Sequence, residues 1–446
     1  MISALLYLIP FLTGLLMAFR HGPILIFMVY QLDYFLNPQN KWWSSYLPFV
    51  GAQFYLVLAM IIAFIIGFGK YNQNPAFKHP QFKFMCLTIL MYCLAYFNAP
   101  FTEYHLEAVD AFLTMLVVTF LVVKLCSEKK HVYWIIDTYL FSAFLLGFYI
   151  YGWGRDSSGR VSNVGMVDAP GANFIAAALA PTIILFIAKL IADKRIVARG
   201  LYAIGLVFVL NALILINSRG SFVGVAAGIS YFMFISFRNN AFTIKEKRAI
   251  FFGILLFAGA LFRLADTTFI DRMMSVKEEA TLTEEKESGS TRVFFWLAAI
   301  DMVQDHPFGA GAGGFQYYAP NYIPSDINTG ESRNRAVHST WFETLSEAGY
   351  LGFISFFLMI YCTYSSFRKT RLYLWAKKDF VNSAIVLSVS SGFITFVVAM
   401  TFINRLRGEV LYWLIALSMC CANVFLREES FGKNNAYSST TNKRIG

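Results

Sequence analysis

Thr291–Gly314, TRVFFWLAAIDMVQDHPFGAGAGG, and Arg333–Gly352, RNRAVHSTWFETLSEAGYLG, decide how this chain is to be read. Both belong to one long polar interruption, about Asp266 to Gly349, in an otherwise apolar sequence. An acidic run, KEEATLTEEKESGS from Lys277, precedes the first segment, and a Tyr- and Asn-rich stretch separates the two. In the first, Phe295, Ala299 and Met302 recur at helical spacing behind Ser290 or Thr291 as a cap, which predicts a helix over 291–303. Arg292 falls in its first turn, where the helix dipole disfavours a cation, and a bound anion would resolve that conflict. His306–Pro307 stops the helix. The glycines from Gly309 either reverse the chain beneath it or form an anion-cradling nest; with no Lys-Ser/Thr following, they are not a P-loop. In the second segment Thr340 and Glu343 match a capping box, and Trp341, Leu345 and Ala348 form an apolar stripe, so a short helix near a membrane surface is expected. His338 stands just ahead of that cap, with Arg333 and Arg335 on the same segment. From spacing alone it is either structural or catalytic.

Outside this interruption the chain reads as membrane helix. It has 446 residues, 57% hydrophobic and 14% charged, with a mean hydropathy of +0.55. Apolar runs long enough to cross a bilayer recur at about thirteen places. They fall at 2–19, 23–36, 47–68, 84–98, 108–126, 133–151, 173–192, 199–216, 221–237, 249–264, 350–367, 380–402 and 409–426. The second and fourth are short, so twelve spans is the alternative. The expectation is an all-α polytopic membrane protein. Residues 1–264 form one set of spans, 265–349 the large outer loop, 350–427 the last spans and 428–446 a disordered cytoplasmic tail. Assigning loops alternately puts roughly 24 of the Lys and Arg on one face, which the positive-inside rule makes cytoplasmic. The net charge of +10 therefore encodes topology, and nucleic acid is not a partner. The six cysteines lie in or beside apolar runs, so neither a disulfide framework nor a metal site is expected. No cleavable signal is recognised ahead of the first span.

A few polar residues stand out because orientation alone disfavours them on the outer face. Ser218–Arg219, within NSRGS from Asn217, sit between two apolar runs, where a guanidinium either snorkels or meets an anion. The helix that begins near Ser221 would point its amino-terminal amides at the same place. Arg405 and Arg407, in NRLRGE, lie between the last two spans on the outer face. Glu103, His105 and Glu107 read as an extended loop of solvated polar residues rather than a metal site. Trp42 and Trp43 read as an interfacial aromatic belt. The loop from Gly152 carries Arg155 and Arg160 and is turn-rich; a grip on a polar ligand is its other reading.

Taken together, Arg292, His306–Pro307–Phe308–Gly309–Ala310–Gly311, His338 and the Glu347, Gly349, Gly352 spacing resemble the signature of the bacterial O-antigen ligase and polymerase superfamily. NSRGS resembles that family's Ser-Arg-Gly element. Ser339 departs from the Asn that commonly follows the histidine. The Asn37–Pro38 stretch and the Tyr46–Leu47–Pro48–Phe49 run resemble the O-glycosylation ligases associated with the exosortase A system. The resemblance implies a GT-C-type fold and an inverting, metal-independent transfer of glycan from undecaprenyl pyrophosphate to an acceptor hydroxyl at the periplasmic face of the bacterial inner membrane. It implies His338 as the catalytic group and Arg219, Arg292, Arg405, Arg335 and Ser218 as substrate contacts, with no cofactor and no metal. Arg405 and Arg407 read either as a second grip on the pyrophosphate or the acceptor or as an interfacial anchor. The donor is a lipid-linked glycan; the acceptor is a glycan, a lipid or a protein. A transporter or flippase of lipid-linked saccharides is the competing class. Against it stand the lack of an internal repeat or paired broken helices and the sparse intramembrane carboxylates, Asp33, Asp110 and Asp137.

Overall fold

The structure is a computed structural model. It describes residues 2–426 except 42, 45–50, 156–158, 160, 162–163, 169–170, 328–331 and most of 239–290. The acidic run from Lys277, the Ser290 cap, Arg160, Trp42, the Tyr46–Phe49 run, the tail 428–446 and all but scattered residues of the 249–264 span lie outside the described residues.

The described chain is helical. Its elements are α1 (Ile2–His21), α2 (Ile24–Leu36), α3 (Ala52–Ile66), the short α4 (Phe68–Tyr71), α5 (Pro80–Leu94), α6 (Thr102–Leu125), α7 (Lys129–Trp153), α8 (Ala172–Ala192), α9 (Ile196–Ile216) and α10 (Arg219–Arg238). After the interruption come α11 (Thr291–Asp305), α12 (Gly314–Tyr322), α13 (Thr340–Ala376), α14 (Phe380–Ala399) and α15 (Glu409–Phe425). Nine of these are long and apolar enough to cross a membrane, and α2, α3 and α15 are shorter apolar helices. Each meets an expected span; the thirteenth, 249–264, is the one not described. Helices suit this composition because a hydrocarbon surrounding leaves backbone polar groups no partner but their own.

Helices α2, α8 and α15 are buried over nearly their whole length and form the core. Trp413 of α15 is ringed by Phe27, Tyr34, Phe35 and Tyr139. Helix α10 packs on α14 through glycine at every fourth position. A Cβ on Gly224 would come within 2.5 Å of Thr395 O, one on Gly228 would overlap Thr395 and Ser391, and one on Gly220 would meet Phe402 Cβ at 2.9 Å. Small residues let two backbones approach where no hydrophobic effect drives helices together. This stripe brings the start of α10 against the 3₁₀ turn Met400–Phe402 that ends α14.

The connections collect at two ends. At one, Asn74 donates to Lys124 O (2.6 Å), His79 meets Asn423 (2.8 Å) and Tyr133 donates to Asn382 (2.6 Å). At the other, Lys41 donates to Val164 O (3.3 Å), Arg155 to Ile214 O (2.9 Å) and Arg292 to Phe402 O (3.2 Å). Loops assigned alternately by charge thus separate in space as well as in sequence.

Candidate active site

Helix α11 forms where its apolar stripe demands. Phe295, Ala299 and Met302 are fully buried and cluster with Phe315, Ala319 and Val337. Its length extends the expected 291–303 to Asp305, and His306–Pro307 ends it. Helix α12 was not legible, because Pro320 and a polar Tyr/Asn composition mask it.

The glycine segment resolves as a chain reversal. Six successive backbone N–H groups have acceptors inside the chain. Gly309 donates to His306 O (2.8 Å), Ala310 to Ser346 O (2.9 Å), Gly311 to Glu347 O (3.0 Å) and Gly314 to Gly311 O (3.0 Å). Ala312 donates to His105 Nδ1 (2.9 Å) and Gly313 to Glu347 Oε1 (2.9 Å). A nest needs amides pointing outward at an anion, and these are already engaged. The turn fits against a break in α13 at Gly349, where φ is +69°. A side chain there would be both strained and blocked, since its Cβ would lie 2.6 Å from Gly309 N. The expected short helix is therefore Thr340–Ala348, running through this break into the span.

His105 and its neighbours are a correction. Residues 102–125 are helical, not an extended loop, and His105 is buried, stacked on Tyr92 at 5.0 Å, accepting from the glycine turn. The capping box is a second correction. Ser339 precedes the helix without a side-chain cap. Thr340 Oγ1 instead donates to Ile403 O and accepts from Arg405 N, both at 2.8 Å, and Glu343 Oε2 accepts from Leu406 N at 3.1 Å. The same two side chains that looked like a local cap hold a turn more than sixty residues away in sequence.

Of the predicted residues, Arg405 lies in that turn, 403–408, and Arg292 reaches Phe402 just before it. Arg219 is the first residue of α10, so the helix starts two residues earlier than expected, with Gly220 against Phe402. Ser218, just before it, is buried and accepts from Ser221 Oγ at 3.2 Å. Arg292, in the first turn of α11, donates to Phe402 O. His338 sits one residue from Ser339, whose N–H donates to Asn404 Oδ1 (3.1 Å). Its ring lies 6.5 Å from that of Phe295, one turn along from Arg292. The starts of α10 and α11 and the residue after His338 thus meet Phe402–Asn404. His338 also has φ +53°, an uncommon backbone state for a non-glycine residue and one that concentrates at functional positions. Arg335 donates Nε to Ser332 O (3.2 Å), and Arg333 ties the end of α12 by donating to Ile323 O and Pro324 O.

Beside this junction lies a cavity of about 1270 Å³ whose wall includes Val337, Glu343, Glu347, Asn404, Arg405 and Arg407. Arg405 is buried, and its terminal nitrogens are directed inward, to Asp168 O (3.2 Å), Asp168 Oδ1 (3.3 Å) and Tyr34 Oη (3.2 Å). Asp168 in turn accepts from Glu409 N (2.9 Å) at the start of α15. Burial works against the Arg405 charge, but Asp168 and Tyr34 more than offset it and hold the guanidinium above its ordinary range. Its geometry is that of a clamp on the turn. Arg407 differs: it donates to the hydroxyls of Tyr104 (3.0 Å) and Tyr92 (3.5 Å) while lining the cavity. Burial opposes its charge too, and Tyr92, Glu347 and Glu343 raise it nonetheless. In the loop from Gly152, Arg155 meets the last carbonyls of α9 and Asp168 meets Arg405. No sequence signal pairs Asp168 with Arg405, because the partners are too far apart in the chain for any spacing rule.

Residues 204–357 match the family model described as O-antigen ligase. The matched stretch runs from within α9 to the span portion of α13 and contains Ser218, Arg219, Arg292, Arg335 and His338. A search of curated proteins returns no match.

Proposed function

We propose, from the match of residues 204–357 to the O-antigen ligase family model, that this chain moves a glycan from undecaprenyl pyrophosphate to an acceptor hydroxyl, with inversion, at the periplasmic face of the bacterial inner membrane. The observation that carries this reading is that the starts of α10 and α11, each led by an arginine, and the segment His338–Ser339 meet at Phe402–Asn404. A helix start favours anions, and a cation held there disfavours itself unless an anion is bound. Two such starts meeting at one place suit a diphosphate. As the bond from the anomeric carbon to the pyrophosphate oxygen breaks, negative charge grows on the leaving group. Bidentate guanidinium contacts strengthen with that charge.

The new bond forms from the acceptor oxygen to the opposite face of the same carbon. The hydroxyl proton passes to His338, whose imidazole is suited to accept it near neutral pH. The left-handed backbone at His338 fixes the ring's approach to the junction. In this reading Arg405 positions the turn through Asp168, and Arg407 with Tyr104 meets the acceptor in the adjoining cavity.

Purified protein incubated with a lipid-linked oligosaccharide and an acceptor, with products read by mass, tests the proposal. His338→Ala should lower product formation by roughly 10²–10⁴-fold while donor-lipid binding remains measurable. Full turnover in that variant would remove the histidine from the chemistry. Lengthened lipid-linked chains without added acceptor would identify a polymerase, and product only with acceptor a ligase.

A further inference from the structure

A second cleft lies between α1, α7 and the segment after α2, apart from the junction just described. Its volume is about 400 Å³, and Leu6, Leu36, Leu145 and Phe148 give it apolar walls. Tyr151 and Trp153 stand at its rim, 61% and 54% exposed, as aromatic side chains do at a bilayer interface. Among the side chains that line it, Lys41 and Trp43 carry hydrogen-bond donors and are almost completely buried.

Among the described residues, Lys41 is only partly matched and Trp43 not at all. Lys41 Nζ donates to Val164 O at 3.3 Å and lies 4.1 Å from the centre of the Tyr149 ring. Among the described residues it forms no ion pair, so a three-donor ammonium has one carbonyl and one aromatic face. Trp43 Nε1 is buried and has no hydrogen-bond partner among the described residues. Buried donors left unmatched are costly. Burial alone draws the Lys41 ammonium down to about 8, and an anion beside it would raise that value again. The cleft therefore combines a cation and buried donors with hydrocarbon walls. A soluble anion would have no use for the apolar walls.

We propose that this cleft binds an anionic membrane lipid, whose phosphate accepts from Lys41 and Trp43 and whose first acyl segment lies against Leu6, Leu36, Leu145 and Phe148. The site is independent of the glycan-transfer reading and survives or fails without it.

Native mass spectrometry of the full-length protein in detergent, titrated with phosphatidylglycerol or phosphatidylcholine of the same acyl chains, tests it. The wild type should retain phosphatidylglycerol about tenfold better than phosphatidylcholine. Lys41→Gln should abolish that preference, Lys41→Arg should keep most of it, and Trp43→Phe should weaken it. Leu6→Trp, which fills the cleft while leaving both donors, should lower retention of both lipids and guards against a Lys41 variant that fails to fold. Equal retention of the two lipids by the wild type would overturn the proposal. So would an unchanged preference in folded Lys41→Gln, or displacement of phosphatidylglycerol by millimolar inorganic phosphate, which would mark a site for a soluble anion.

Discussion

The glycine turn at Gly309–Gly314 and the arginine-led starts of α10 and α11 are both places where backbone amides crowd together, yet they differ in what those amides meet. In the turn, every N–H from Gly309 to Gly314 is engaged by His306, Ser346, Glu347, His105 or Gly311. At the helix starts, Arg292 donates to Phe402 O, Gly220 lies against Phe402, and Ser339, next to the left-handed His338, donates to Asn404. The lesson is that glycine content does not identify an anion site.

The comparison breaks first at Gly349. Its φ of +69° and its contact with the turn leave no room for a side chain. Gly349→Ala should cost several kcal/mol, roughly 3 or more, and the protein should lose its monodisperse peak on detergent size exclusion. A well-folded Gly349→Ala would mean the turn is not what holds α13 in place.

Arg405 and Arg407 sharpen the same contrast within one turn. Arg405→Gln leaves Asp168 without its guanidinium, and breaking such a buried pair costs about 3–5 kcal/mol. Its melting temperature in detergent should fall well below that of Arg407→Gln. Arg407→Gln should lose less melting temperature than Arg405→Gln and lower transfer more. The reverse pattern would exchange the roles given to the two residues.

A smaller effect is expected at Thr340. Thr340→Val removes one hydroxyl that serves Ile403 O and Arg405 N, and an unmatched buried group of this kind costs about 1–3 kcal/mol. A melting shift no larger than that of a surface Thr→Val control would show that the hydroxyl does not hold the turn.

Much of this architecture is legible in the residues alone. Twelve of the thirteen expected spans meet helices, because hydropathy over a bilayer's thickness is a strong signal. Helix α11 and its buried stripe follow from spacing. The arginines and His338 are legible as a set once the motifs are joined. What spacing could not supply are contacts between residues far apart in sequence. Thr340 and Glu343 satisfy a local capping rule yet serve the 403–406 turn. His105 carries no hint of the glycine turn it accepts from. Arg405 carries no hint of the Asp168 it pairs with. Short-range patterns report on the helix a residue belongs to, and these side chains act between helices.

The central claim is that Arg219 and Arg292 hold one diphosphate beside His338. Its most direct test is equilibrium binding of undecaprenyl pyrophosphate to the purified protein and to folded Arg219→Gln, Arg292→Gln and His338→Ala. The account predicts that each arginine replacement weakens binding by about tenfold or more, while His338→Ala binds nearly as the wild type does. Wild-type affinity in either arginine variant would contradict it.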